Sequence, residues 1–327
     1  MKPHSGPSPQ VLVLTEICDP TADFVLDHLN ERGVEFWRLD PGDFPDSLDL
    51  SAGFDGSWFG EVLGPLRLAE LGEIRAVYYR RPSGFKTPKD LPGAEAAFVR
   101  SQARHALYGV LAALPQVTWL NSPGKMADAR IKPYQLAVAA TVGLTTPRTL
   151  LTNRPHDVVA FGRRMGRIVT KTLSTVVYED PRVGKGLLYT TEVPETDWAD
   201  PAITATAHLF QEVVDRDYEV RLTYVAGQCF AAAIEPDDPG GDLDIRAHGR
   251  AVRYTLARVP TEITAAVRTM MDRLGLLFGA FDFIVRPDGQ WVFIEVKPNG
   301  QWAWIEQALG LPISAALADI LEKGAAE

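Results

Sequence analysis

GAFDFIVRPDGQWVFIEVKPNG, residues 279–300, is two runs of alternating apolar residues around Asp288-Gly289, the strongest short-range signal for a β-hairpin. With those two residues as the loop, Pro287 faces Gln290, Ile284 faces Phe293 and, further out, Asp282 faces Glu295. Carboxylates directly opposite each other in an antiparallel pair have Cβ atoms ~4.5–5.5 Å apart and repel. Phe281, Phe283, Ile294 and Val296 flank them, so neither acid is a casual surface residue. The pair calls for a cation. Oxygen ligands from one or two carboxylates, completed by phosphate oxygens, describe a Mg²⁺–nucleotide site. The alternatives are a neutralising salt bridge from Lys297, on the same face as Glu295, or a one-residue slip of the hairpin that separates the acids.

Upstream of the hairpin stand further charges in apolar surroundings. Lys171 lies inside the strand-like run RIVTKTL (167–173), where a lysine is costly unless it meets an anion. Lys132 opens a helical stretch after Arg130, so its side chain and the helix N-terminus can both face phosphate, or it is an ordinary exposed lysine. FQEVV (210–214) reads as a short strand suited to offering backbone groups to a planar base. Glu219 and Arg221 share a face of the next strand, as a surface ion pair or as site residues. Within 242–260, Arg246, His248, Arg250, Arg253 and Arg258 form a basic patch, and Arg246 is the one assigned to the site.

Further out, QVLVLTE (10–16), DFVLDHLNERG (23–33) and VEFWRLD (34–40) read as strand, helix and strand, a parallel βαβ unit. SAGFDGSWFG reads as a hairpin, RAVYYRR (75–81) as another strand of the same sheet, and 93–114 as a long helix. His28, His105 and His208 fall in apparently helical stretches.

The 327 residues exceed one small core. The net charge of −9 argues against bulk nucleic-acid binding, which needs a basic footprint. Two cysteines, Cys18 and Cys229, give neither a disulfide framework nor a zinc site. No window reads as a membrane span, and the opening MKPHSGPSPQ lacks the apolar stretch of a signal peptide, so the expectation is a soluble, cytoplasmic protein. GxxxxGK[ST], GxGxxG after a strand, and nucleophile-elbow patterns are all absent.

Together WLNSP…RIKPYQLAVAATVGLTTPRTLLTN, FQEVV…YEVRLTYVAG and FGAFDFIVRPDGQWVFIEVKPNGQWAWIE resemble the ATP-grasp superfamily. With the YYRRP run at 78–82, they resemble its RimK-like branch of graspetide (microviridin-type) peptide maturases. The resemblance implies an α/β chain: a disordered tail (1–9), a Rossmann-like pre-ATP-grasp domain (10–118), then central (119–203) and C-terminal (204–327) α+β ATP-grasp subdomains. It implies ATP and Mg²⁺ as cofactors. Lys132 and Lys171 would hold phosphates; Gln211, Glu212 and Val213 the adenine; Glu219 the ribose. Asp282 and Glu295 would bind Mg²⁺, Arg221 and Arg246 would orient an acyl phosphate, and a Gly-containing loop around 183–186 would close over the phosphates. The implied partner is a precursor peptide with leader and core, whose Glu or Asp side chains become macrolactone or macrolactam cross-links. A homodimer is also suggested, and no nucleic acid or membrane.

One position departs from the family pattern Glu-x-Asn-Pro-Asn-Gly-Gln-Trp: the first Asn, a metal ligand, is Lys297 here. Either Asn299 compensates as a metal ligand, or one Mg²⁺ is lost and the ammonium replaces part of its charge. Two other readings therefore stay open, a ligase adding an amino acid to a protein or small-molecule carboxylate, and a nucleotide-binding pseudoenzyme.

Overall fold

The structure is a computed structural model describing residues 7–88, 91–174, 177–180, 184–236 and 252–326. Arg246, His248 and Arg250, with residues 181–183 of the Gly-containing loop, lie outside the described residues.

β1 (Val11–Leu14), α1 (Pro20–Glu31) and β2 (Phe36–Leu39) form the expected parallel unit. Asp19 starts α1 by accepting from the N–H groups of Thr21 and Ala22, with Pro20 at the first turn. The chain turns out of the helix at Gly33, whose φ is +68°. β3 (Asp49–Phe54), β4 (Trp58–Leu63) and β5 (Leu68–Glu70) make a separate three-stranded sheet. The expected hairpin is therefore present but does not share a sheet with β6 (Ala76–Tyr79), which pairs with β1. α2 (Gly93–Ala112) and β7 (Thr118–Leu120) complete a four-stranded parallel sheet of order β2-β1-β6-β7. All four β1 residues are buried, as a strand covered on both faces requires.

α3 (Pro123–Ala129) and α4 (Lys132–Thr141) follow, then β8 (Thr149–Thr152), α5 (Pro155–Met165) and β9 (Ile168–Lys171). β10 (Val177–Asp180) and β11 (Gly184–Leu187) are an antiparallel pair, so residues 184–186 of the Gly-containing loop belong to a strand. β12 (Thr191–Glu192) and β13 (His208–Glu212) close a sheet of order β12-β9-β13-β8. His208, expected in a helix, opens β13, where apolar Leu209 and Phe210 pair into the ladder between β8 and β9.

The last section holds β14 (Tyr218–Val225), β15 (Gln228–Pro236), β16 (Val252–Leu256), α6 (Thr261–Leu274), β17 (Phe278–Val285), β18 (Trp291–Lys297), α7 (Ala303–Leu309) and α8 (Ile313–Ala326). Its antiparallel sheet runs β16-β15-β14-β17-β18. One face packs Leu222, Phe281, Phe283 and Phe293 against α3, α4 and α6. α8 reaches back to cover the N-terminal sheet beside α1, while α2 covers the opposite face of that sheet.

The β17–β18 hairpin differs from the expected register near its loop. Phe283 pairs with Phe293, Ile284 with Val292 and Val285 with Trp291, one residue off the expected rungs. The cause is a longer loop: the Arg286 N–H donates to the Gln290 carbonyl at 3.0 Å, and Gly289 takes φ +84°. A shift between Asp282 and Phe283 then restores the outer register, so Asp282 does face Glu295. The extra residue is Ile294, a β-bulge. An unbroken ladder continuing from Phe283–Phe293 would send Glu295 to the core face with Phe281.

Candidate active site

The two antiparallel sheets leave a cleft of about 870 Å³. The β12-β9-β13-β8 sheet contributes Lys171 and Gln211, and the C-terminal sheet contributes Glu219, Arg221, Asp282, Glu295 and Lys297. The strand alternation explains the second set. On β17, Phe281 and Phe283 go to the core and Asp282 between them to the cleft. On β18 the bulge turns Glu295 and Lys297 to that same side.

Every oxygen of the facing carboxylates has a cationic partner. Arg221 Nε donates to Asp282 Oδ1 at 2.6 Å, and Lys297 Nζ donates to Asp282 Oδ2. Lys297 Nζ also lies 2.8 Å from Glu295 Oε1, and Lys132 Nζ lies 3.3 Å from Glu295 Oε2. Lys171 Nζ is 3.5 Å from the Ile294 carbonyl, the bulge residue. The salt bridge weighed for Lys297 is thus realised. The suggested Glu219–Arg221 pair is not: Glu219 Oε1 accepts from Arg216 at 2.5 Å, while Arg221 goes to Asp282.

Burial opposes ionisation of Asp282, but Arg221 and Lys297 outweigh it and hold its carboxyl well below the ordinary range. Glu295 is likewise held low: burial and Asp282 oppose its charge, and Lys297, Lys132 and Lys171 overcome them. Burial pushes Lys297 down, yet the two carboxylates hold its ammonium above its usual value. For Lys171 burial prevails, and its ammonium falls to about 8 despite Glu295.

Two ionised carboxylates on one cleft wall are a donor set for Mg²⁺. They fit one ion at the cleft edge better than several, because Lys297 already bridges them. Asn299, expected as a compensating ligand, is engaged elsewhere. Its Oδ1 accepts from Arg80 Nη1 at 2.8 Å and its Nδ2 donates to the Arg80 carbonyl. Among the described residues no cluster of three or more His, Cys, Asp or Glu side chains could hold a metal.

Two helices bring Lys132 to this wall. Gln135, buried on α4, donates to the Ala129 and Val296 carbonyls at 2.6 and 2.9 Å and accepts from the Val296 N–H at 3.0 Å. That bond set sits one turn from Lys132 and fixes α4 beside β18. Asn121, from WLNSP, donates to the Phe278 and Pro298 carbonyls and accepts from the Leu277 and Phe278 N–H groups.

At the expected base-binding hinge, buried Gln211 donates to Thr149 Oγ1 at 2.9 Å. The Glu212 and Val213 N–H groups donate to the Arg148 and Arg167 carbonyls, both at 3.1 Å. Those donors are taken; Gln211, Glu212 and Val213 line the cleft together with Val214 and Asp215 just beyond β13.

The sequence reading did not assign Arg80, Gln301, Tyr254 or Trp304. Arg80 is 1% exposed and its Nη2 donates to Gln301 Oε1 at 2.6 Å. Arg221 Nη1 donates to the Gln301 carbonyl at 2.9 Å, and its guanidinium lies 5.8 Å from the Trp304 ring, which packs on Tyr254. Of these, Arg80 carried a signal in the YYRRP run, and Gln301 and Trp304 in the stretch ending GQWAWIE.

Comparison with known proteins matches residues 10–127 to the MvdD pre-ATP grasp domain. No curated protein matches the chain. Among solved structures, the macrocyclase MdnC of Microcystis aeruginosa MRC, bound with precursor peptide MdnA, is 28% identical. The alignment covers 96% of this chain and 99% of that one with a TM-score of 0.85. A Chryseobacterium gregarium RiPP-associated ATP-grasp ligase, in complex with ADP and a leader and core peptide, is 23% identical over 96% and 97% with a TM-score of 0.87. ATP-grasp ligase PsnB, complexed with minimal precursor, Mg and ADP, is 22% identical over 98% and 99% with a TM-score of 0.78.

Proposed function

We infer that this chain is an ATP-grasp ligase of the kind that matures ribosomal peptides, using ATP and Mg²⁺ to join side chains of a precursor with leader and core segments. The observation that carries the reading is the cleft wall where Asp282 and Glu295 face each other, ringed by Arg221, Lys132, Lys297 and Lys171.

In this reading a substrate carboxylate attacks the γ-phosphorus of ATP, releasing ADP and forming an acyl phosphate. A hydroxyl or amine of the peptide then attacks the acyl carbon and phosphate leaves. Two anions must meet in the first step, so the chain's task is charge neutralisation and alignment rather than nucleophilic attack. Lys132 and Lys171 would hold phosphates, with Lys132 at the N-terminus of α4 adding the helix dipole. Glu219 would take the ribose, and Gln211, Glu212 and Val213 the base. Arg221, steadied by Asp282 and the Gln301 carbonyl, would orient the acyl phosphate. Asp282 and Glu295 would hold Mg²⁺, which when bound neutralises phosphate charge.

Incubation with ATP, Mg²⁺ and a Thr/Glu/Asp-rich precursor should remove one water mass per cross-link, read by mass spectrometry. Asp282→Asn should lower turnover about 10²–10³-fold, the usual cost of removing one transition-state electrostatic partner. Nucleotide binding with no ADP release and no mass change would sink the ligase reading and leave a pseudoenzyme, the alternative that Lys297 supports.

A further inference from the structure

We propose that Lys297 is a built-in cation occupying the place of one divalent ion, so that this chain holds its nucleotide with a single Mg²⁺. The inference rests on the ligase reading and deepens it at the same site.

Lys297 bonds both carboxylates at once, reaching Asp282 Oδ2 and Glu295 Oε1. That is the point between facing acids where a bridging metal would sit. The outer oxygens are no freer, because Arg221 takes Asp282 Oδ1 and Lys132 takes Glu295 Oε2. A divalent ion binding between the acids would have to displace the ammonium and stand beside its charge. The ammonium is anchored by those two bonds rather than left to swing free, and both carboxylates keep its proton on. Asn299, the amide expected to compensate as a ligand, is held by Arg80 on both its oxygen and its nitrogen, and the Gln301 amide oxygen accepts from Arg80 and Thr21. Four cations against two carboxylates already make this wall receptive to a polyphosphate. An ion that comes in on the nucleotide can share an outer carboxylate oxygen by displacing one side chain, whereas a second ion between the acids finds both facing oxygens already taken by Lys297 and no further carboxylate among the described residues to complete a cluster of three.

Mn²⁺ replaces Mg²⁺ and can be counted by electron paramagnetic resonance. Titrated into a one-to-one complex of the full chain with a non-hydrolysable ATP analogue, Mn²⁺ should saturate at one per chain, without the dipolar broadening of two ions ~3.5–4 Å apart. Lys297→Asn, which swaps the ammonium for an amide ligand, should raise the count to two and introduce the broadening. A wild-type count of two overturns the proposal, whether or not the variant folds. So does a folded Lys297→Asn variant that stays at one. No analogue binding at all would remove the ligase reading and this inference together, whereas two ions with intact nucleotide binding removes this inference alone.

Discussion

At Lys171 the side chain carries its ammonium into a cleft between two sheets, and burial brings its proton affinity down to about 8. In the free chain the amine is neutral above that pH, whereas bound phosphates would keep the proton on. Binding then takes up a proton above pH 8, and affinity falls as pH rises, by up to about tenfold per unit. Calorimetric titration of ADP at pH 7, 8 and 9 should show this decline. Lys171→Arg should flatten it, because a guanidinium stays charged throughout. An affinity that stays constant from pH 7 to 9 in the wild type would remove Lys171 from the phosphate site. Across the cleft, Lys297 acts differently. Its two carboxylate partners hold its proton on, so it carries a permanent charge over the same range.

Among the elements, the β17–β18 hairpin and α4 assemble most of the charge. The Ile294 bulge reverses the alternation of β18, which is why Trp291, Phe293 and Val296 are core while Glu295 and Lys297 reach the cleft. α4 is locked to this strand by Gln135, whose three bonds end on buried backbone groups of Ala129 and Val296. Gln135→Leu would leave those three groups without their partners, at a cost of about 3 kcal/mol or more from roughly 1–3 kcal/mol per unsatisfied group. Urea unfolding should register that loss. ADP affinity should drop with it, because Lys132 loses its fixed position beside Glu295. A variant with unchanged unfolding midpoint would show that water replaces the amide.

Over the whole molecule, the N-terminal sheet reaches the site through Arg80. Its guanidinium holds Asn299 and Gln301, Gln301 holds Arg221, and Asp19 sits 3.8 Å from the Arg80 Nε with only 2% exposure. Thr21 adds a bond to the Gln301 amide oxygen at 3.1 Å. Arg80→Met leaves buried Asp19 without its cation and removes the donor to the Asn299 and Gln301 amide oxygens, which should cost about 3–5 kcal/mol. Thermal unfolding should drop by several degrees. Turnover should fall while ADP affinity changes less than threefold, since Arg80 does not itself line the cleft; a tenfold loss of ADP affinity would contradict this.

The sequence alone determined what depends on neighbours along the chain. Alternation around Asp288-Gly289 marked the hairpin, the run 10–40 marked the parallel unit, and an apolar strand around Lys171 marked a lysine in want of an anion. It also placed Asp282 opposite Glu295, although by an unbroken ladder; the longer loop and the bulge at Ile294 offset one another. Only the tertiary structure decided which cation meets which acid. Arg221 turned from Glu219 to Asp282, Lys297 closed the gap between the acids, and Asn299 went to an arginine 219 residues away. Strand periodicity and turn chemistry are local and can be read from one stretch of chain. Charge pairing follows from which sheets and loops are packed face to face, and burial leaves each charge to find its partner across that distance.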